Sequence, residues 1–123
     1  MAFQFKNKYP LIDHQEVYEV LADELVNALE HVVLIDVRES EELDGPLGYI
    51  QQVHHIPLAQ LNEELPRFNK DETIVFVCAA GSRSIYAALA ASREGFLDVA
   101  SMAGGMQIWN AKGFPTKFNK SGE

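Results

Sequence analysis

Cysteine is almost absent from this chain: Cys78 is the only one among its 123 residues. One thiol cannot build an internal disulfide, which points to a reducing compartment. Positive charge is scarce as well, with 10 Lys+Arg against 18 Asp+Glu and a formal net charge of -8. Nucleic-acid affinity rests on clustered cations, so DNA and RNA are not expected partners. The same field repels small anions at long range, so an anion site must work locally, through backbone N–H groups or one well-placed arginine. No apolar run approaches the ~18 residues of a membrane span, and no membrane partner is expected. The first ten residues, MAFQFKNKYP, lack the apolar centre of a secretory signal, so a cytoplasmic protein is expected. Repeats, linkers and low-complexity tracts are missing too. The four histidines, His14, His31, His54 and His55, are scattered, and with one cysteine they form no zinc-ligand pattern. Neither a metal nor an organic cofactor is expected.

What remains is ordinary in bulk. A chain with 47% hydrophobic and 23% charged residues has the make-up of a folded globular protein. Its length suits one domain over residues 1–123, with a core of about residues 9–115 and short polar tails. Asp13 to His31 shows apolar residues at three- and four-residue spacing (Val17, Val20, Leu21, Leu25, Leu29), predicting a core-facing helix capped by Asp13. Val32 to Val37 is a short β-branched run followed by charge and Thr73 to Cys78 a continuous apolar one, as in strands buried on both faces. His54 to Pro57 predicts a small strand, and LDVASM, Leu97 to Met102, a further one. LAQLNEELPRF predicts a helix ended by Pro66, and Ser82 onward an alanine-rich helix stopped at Gly95. GGMQIW begins a last short helix. Strands alternating with helices imply an α/β fold, a mainly parallel sheet with helices on both faces. Ligands of such sheets bind beyond the carboxyl ends of the strands, and Cys78 falls on that edge.

The residues after Cys78 are Ala79, Ala80, Gly81, Ser82, Arg83 and Ser84. Small side chains and a glycine let a segment curl so that successive N–H groups point inward as an anion-binding nest. The helix starting near Ser82 adds unpaired N–H groups and the positive end of its dipole. These features favour the thiolate, which is the nucleophilic form of cysteine. Arg83 is the nearest cation in sequence, and its side chain either faces the pocket or braces the loop. Taken alone, a cysteine ending an apolar strand is a buried hydrophobe; the glycine, the small residues, the arginine and the helix together point to a reactive thiol.

The ordered set LIDVRESEEL, HIPL, IVFVCAAGSRS, GF and MAGGMQIW resembles the rhodanese-like sulfurtransferases of the single-domain type. The resemblance implies a small α/β fold with an about five-stranded, mainly parallel sheet and the active loop at its edge. It also implies that Cys78 takes sulfane sulfur from a donor (thiosulfate or a persulfide), becomes a persulfide, and passes the sulfur to a thiol- or cyanide-like acceptor. The N–H groups from Ala79 to Arg83 would cradle that sulfur, with Ser84 closing the substrate-binding set. Asp36 and Arg38 would lie behind the loop as structural supports, Arg38 pairing with Glu42 or a neighbouring acid; read from the residues alone, DVRESEE is a charged surface turn. Two departures stand out. Gly48-Tyr49-Ile50 replaces a usual Gly-His-Ile and is followed by Gln51, Gln52 and Val53 in place of a Pro-Gly-Ala-like turn. Ala79 and Ala80 stand where thiosulfate-favouring relatives carry basic residues, which makes a protein or small organic persulfide the more natural donor.

Two other readings compete. A cysteine-dependent phosphatase or arsenate reductase also sets Cys and Arg on a strand–loop–helix, but that loop is one residue longer between them and rings a tetrahedral oxyanion. A non-catalytic rhodanese-like binding or regulatory module usually loses the cysteine, which this chain keeps. His55 before Ile56-Pro57 reads as a packed or capping residue. Gly104 and Gly105 read equally as a turn or as space cleared beside the loop. EELDGPLG reads as a solvated turn that can border the pocket.

Overall fold

The computed structural model describes residues 3–119. Six strands form one sheet: β1 (Tyr9–Pro10), β2 (Tyr18–Val20), β3 (Val33–Asp36), β4 (His54–His55), β5 (Thr73–Val77) and β6 (Asp98–Met102). Their order is β1-β2-β6-β5-β3-β4. Only the β1–β2 pair is antiparallel; the other four pairings are parallel. The helices are α1 (Ala22–Leu25), α2 (Ser40–Leu43), α3 (Leu61–Glu64), α4 (Ser82–Arg93) and α5 (Gly105–Ala111). The α/β architecture and the mainly parallel sheet agree with the sequence expectation, with one strand more than the five expected.

Side chains alternate across the central strands and so divide the core in two. Ile74, Phe76 and Cys78 face a cluster with Leu61 and Leu65 beneath α3 and with Ala87, Ala88 and Ala91 of α4. Val75 and Val77 face the other side, against Leu25 of α1 and Met106 and Trp109 of α5. All five residues of β5 are buried, which explains its unbroken apolar run. The Asp98 carboxylate ties three strands together at the opposite edge from Cys78, accepting hydrogen bonds from Tyr18 Oη at 2.5 Å and Thr73 Oγ1 at 2.6 Å.

The stretch from Asp13 to His31 departs from its expected single helix. Tyr18–Val20 is a strand, Ala22–Leu25 a short helix, and Leu29–His31 one turn of 3-10 helix. Pairing Tyr18 with Ala100 and Val20 with Met102 overrides the local helical spacing, since tertiary contacts outweigh intrinsic propensity. Val17, Val20 and Leu25 are buried as expected, but Leu21 is 44% exposed. Asp13 lies in a bend and caps no helix. The segment after Pro57 is likewise broken, into 3-10 turns at Leu58–Gln60 and Leu65–Arg67 on either side of α3. Pro66 sits inside the second turn, where its missing N–H costs nothing. No helix among the described residues is long and apolar enough to cross a membrane.

Trp109 is fully buried, and its Nε1–H donates to the Pro115 carbonyl at 2.9 Å. Trp109→Ala is expected to cost about 3–5 kcal/mol of stability through the cavity it leaves, measured as the shift of the urea unfolding midpoint.

Candidate active site

Cys78 follows β5 directly and is only 1% exposed. Past it the chain turns through Gly81, whose φ of 110° is left-handed and favours glycine, and enters α4. The turn brings N–H donors onto the sulfur. The Gly81 N–H donates to Cys78 Sγ at 3.1 Å and the Ser84 N–H at 3.4 Å, while the Ser84 hydroxyl lies 3.4 Å from Sγ. Burial pushes the Cys78 thiol up. Hydrogen bonding by the Ser84 hydroxyl and by the N–H groups of Ser84, Gly81 and Ala80 outweighs it, and the thiol lies below its ordinary value. The N–H groups of Ala79, Ser82 and Arg83 make no hydrogen bond to Sγ in this state.

The first two carbonyls of the loop are held by α5. The Met106 N–H donates to the Cys78 carbonyl at 2.9 Å, and the Gln107 N–H to the Ala79 carbonyl at 3.0 Å. These are N-terminal donors of α5, which its own helix leaves unpaired. Their approach requires Gly105, whose φ is 56°. A Cβ there would fall against the Cys78 carbonyl oxygen and within 2.6 Å of the Ala79 carbonyl group. A Cβ at Gly81 would lie 3.1 Å from the Gly104 nitrogen. Both readings of the glycine pair therefore hold: they make the turn, and they let helix and loop meet.

Arg83 braces the loop. Its guanidinium grips the Glu42 carboxylate of α2 at 2.7 and 2.8 Å. That pairing holds the Glu42 carboxyl at about 2 and pushes the Arg83 guanidinium up. Arg38 pairs elsewhere than Glu42's carboxylate. It is buried with Asp36, which accepts from its Nε at 3.0 Å and its Nη2 at 2.8 Å. Its Nη2 also donates to the Gly48 carbonyl at 2.6 Å, and its Nη1 reaches only the backbone carbonyl of Glu42, at 3.5 Å. DVRESEE is thus half buried, and the surface-turn reading fails for Asp36 and Arg38. His55 packs as expected, its Nε2 bonded to the Arg38 carbonyl at 2.7 Å. A cleft of about 260 Å³ between Arg38, Glu41, Glu42, Gly45, Pro46 and Leu47 borders this ion pair.

Ser101 was not singled out from the sequence. It is buried on β6, and its hydroxyl lies 2.7 Å from the Ser84 hydroxyl. The one Ser84 proton has three available acceptors, the Ser101 hydroxyl at 2.7 Å, the Gly81 carbonyl at 3.2 Å and Sγ at 3.4 Å. With Ser101 donating to Ser84, that proton is free to point at the sulfur. A hydroxyl among Val99, Ala100 and Met102 of β6 is the available signal.

The chain matches the family described as Rhodanese-like domain over residues 18–112. It is 34% identical over 101 residues to the Bacillus subtilis (strain 168) protein named "Putative sulfurtransferase YtwF", covering 82% of this chain and 95% of that one. Among solved structures, it resembles a rhodanese-related protein from Thermoplasma volcanium with a TM-score of 0.74 at 30% identity, covering 82% of this chain and 98% of that one. A rhodanese-like domain protein from Staphylococcus aureus superposes with a TM-score of 0.69 at 34% identity, over 80% of this chain and 97% of that one.

Two outcomes test the geometry. Ser101→Ala is expected to raise the Cys78 pKa, read as an upward shift in the pH midpoint of iodoacetamide alkylation, because the slow-reacting protonated thiol then persists to higher pH. Asp36→Ala leaves a buried guanidinium unpaired and is expected to cost about 3–5 kcal/mol in urea unfolding.

Proposed function

The chain belongs to the rhodanese-like family, and from that membership we propose that it is a sulfurtransferase whose Cys78 thiolate accepts and hands on sulfane sulfur. The observation that carries this reading is the convergence of the Gly81 and Ser84 N–H groups and the Ser84 hydroxyl on one buried sulfur atom. Donors fixed in place before reaction stabilise charge without reorganising, in a site largely closed to water. In uptake, the thiolate attacks the outer sulfur of the donor. The donor's S–S bond breaks, its electron pair leaves on the donor residue, and a new S–S bond forms at Cys78. In delivery, an acceptor nucleophile attacks the outer sulfur of this persulfide, and the Cys78 thiolate is the leaving group. The cradle serves both halves, because Sγ carries negative charge before uptake and after delivery.

The substrate-binding segment in this reading is Ala79 to Ser84. Gly81, Ser84 and Ala80 address Sγ, and Arg83 acts through the loop's anchorage to Glu42. Asp36 and Arg38 are positioning residues: their buried pair fixes the turn that carries Glu42. The chemistry needs no metal or organic cofactor, since thiolate and sulfane sulfur are both reacting partners. We place it in one domain acting in the reducing cytoplasm, on a sulfur-containing anion or persulfide and a thiol- or cyanide-like acceptor, small or protein-borne. The four residues between Cys78 and Arg83 favour sulfur over a phosphate oxyanion, which needs a wider ring of donors.

Wild-type protein incubated with thiosulfate or a persulfide donor is expected to gain the mass of one sulfur atom. Cys78→Ser should gain none, with folding stability changed by no more than about 1 kcal/mol. Equal sulfur uptake by both proteins would contradict the reading. Cys78-dependent hydrolysis of p-nitrophenyl phosphate without persulfide formation would point to phosphoryl chemistry.

A further inference from the structure

Arg83 is the one cation that the loop itself supplies, and it is already taken. Both ends of its guanidinium fork are bound by the two oxygens of Glu42, at 2.7 and 2.8 Å. This is the two-point geometry in which an arginine would otherwise grip an incoming oxyanion. The second cation of the region, Arg38, is buried, its Nε and Nη2 bound by Asp36 and the Gly48 carbonyl and its Nη1 facing the Glu42 carbonyl. Segments 36–44 and 78–84, which meet at this ion pair, bear carboxylates at Asp36, Glu39, Glu41, Glu42 and Asp44. Glu39, Glu41 and Asp44 are exposed. The segment that carries Glu42 is therefore acidic, although the floor under the sulfur is a nest of N–H donors.

From this we infer that Glu42 determines which donors the site accepts. By occupying Arg83 it turns the site away from small inorganic dianions and toward persulfides carried on a thiol. The inference rests on the sulfur-transfer reading and names the donor class within it.

The charge balance of the two uptake steps shows why. With a thiol persulfide, R–S–SH, the Cys78 thiolate attacks the outer sulfur, the S–S bond breaks, and R–S⁻ leaves with the electron pair. The proton stays on the transferred sulfur, giving Cys78–S–SH, and one negative charge is present throughout. With thiosulfate, attack on the outer sulfur expels sulfite as a dianion and leaves Cys78–S–S⁻. Three negative charges then share a mouth that offers no unpaired guanidinium from these segments. Like charges so placed, partly shielded from water, slow approach and reaction, and steering effects of this kind reach 10–10³-fold.

Glu42→Gln isolates the effect. Glutamine still offers an oxygen to the Glu39 N–H, which donates to Glu42 Oε2 at 3.0 Å and closes the capping box of α2. The experiment measures the second-order rate of Cys78 persulfide formation by mass spectrometry, with thiosulfate and with cysteine persulfide as probes. Glu42→Gln is expected to raise the thiosulfate rate roughly tenfold and the cysteine persulfide rate less than about threefold, at low ionic strength. Added salt should erode the gain. Adding Arg83→Ala to Glu42→Gln should abolish it, because the freed guanidinium is its source. Where the melting midpoint shows that Glu42→Gln does not fold, Ala80→Arg decides. It places an unpaired cation on an exposed loop position, leaves the ion pair whole, and should raise the thiosulfate rate selectively. An unchanged donor ratio in the deciding variant overturns the inference while the wild type still forms persulfide. A wild type that forms none with either probe sinks the sulfur-transfer reading instead.

Discussion

Two backbone hydrogen bonds from the start of α5, Met106 N–H to the Cys78 carbonyl and Gln107 N–H to the Ala79 carbonyl, anchor the start of the loop. In a peptide unit the C=O of one residue opposes the N–H of the next, so holding the Cys78 and Ala79 carbonyls on α5 turns the Ala79 and Ala80 N–H groups the other way. The Ala80 N–H helps lower the Cys78 thiol, and the Gly81 and Ser84 N–H groups reach Sγ further along the loop. The contact is possible only because residue 105 has no side chain. The cradle is therefore not a property of the loop alone. It is made between the ends of two neighbouring strands, β5 and β6, which run parallel and in register from Thr73↔Asp98 to Phe76↔Ser101.

That register also explains Ser101. It pairs with Phe76, two residues before Cys78, and so stands beside the first turn of α4, within hydrogen-bonding reach of Ser84. The sulfur is thus met by backbone donors from the loop and by a hydroxyl that is itself hydrogen-bonded to a second one. A thiol this buried would ordinarily be raised in pKa, and the balance is tipped by hydrogen bonds of fixed geometry, not by a nearby free cation. The ion pair of Arg83 with Glu42 secures the loop from the other side, and the buried Asp36–Arg38 pair supports the turn from which Glu42 projects. Electrostatics here is layered: a donor nest beneath the sulfur, neutralised pairs beside it, and an acidic segment carrying Glu42.

Much of this is legible in the residues themselves. The apolar runs at Val32 to Val37 and Thr73 to Cys78 mark buried parallel strands because both faces are covered, and the Ala79 to Ser84 composition marks a curled loop. What local pattern could not reveal was pairing between distant segments. The spacing of Val17, Val20, Leu21 and Leu25 fits a helix as well as a strand and a following turn, and only the ladder with β6 decides between them. Sequence proximity leaves Arg38 open to Glu42 or a neighbouring acid, and the structure selects the neighbouring Asp36. Partner choice among Asp36, Glu42 and Arg83 depends on how deep each lies, which sequence spacing does not encode. Ser101 went unremarked because a single hydroxyl in a strand acquires meaning only when a second one, 17 residues away in the chain, is 2.7 Å from it.

The central claim is that fixed hydrogen-bond donors ionise a buried thiol. It is tested most directly by following thiolate absorbance of the wild-type protein in the ultraviolet as pH is varied, with Cys78→Ser as the blank. A midpoint clearly below the ~8.5 of an unperturbed cysteine is the result expected. A midpoint at or above that value would contradict it, since burial would then have outweighed every donor in the loop.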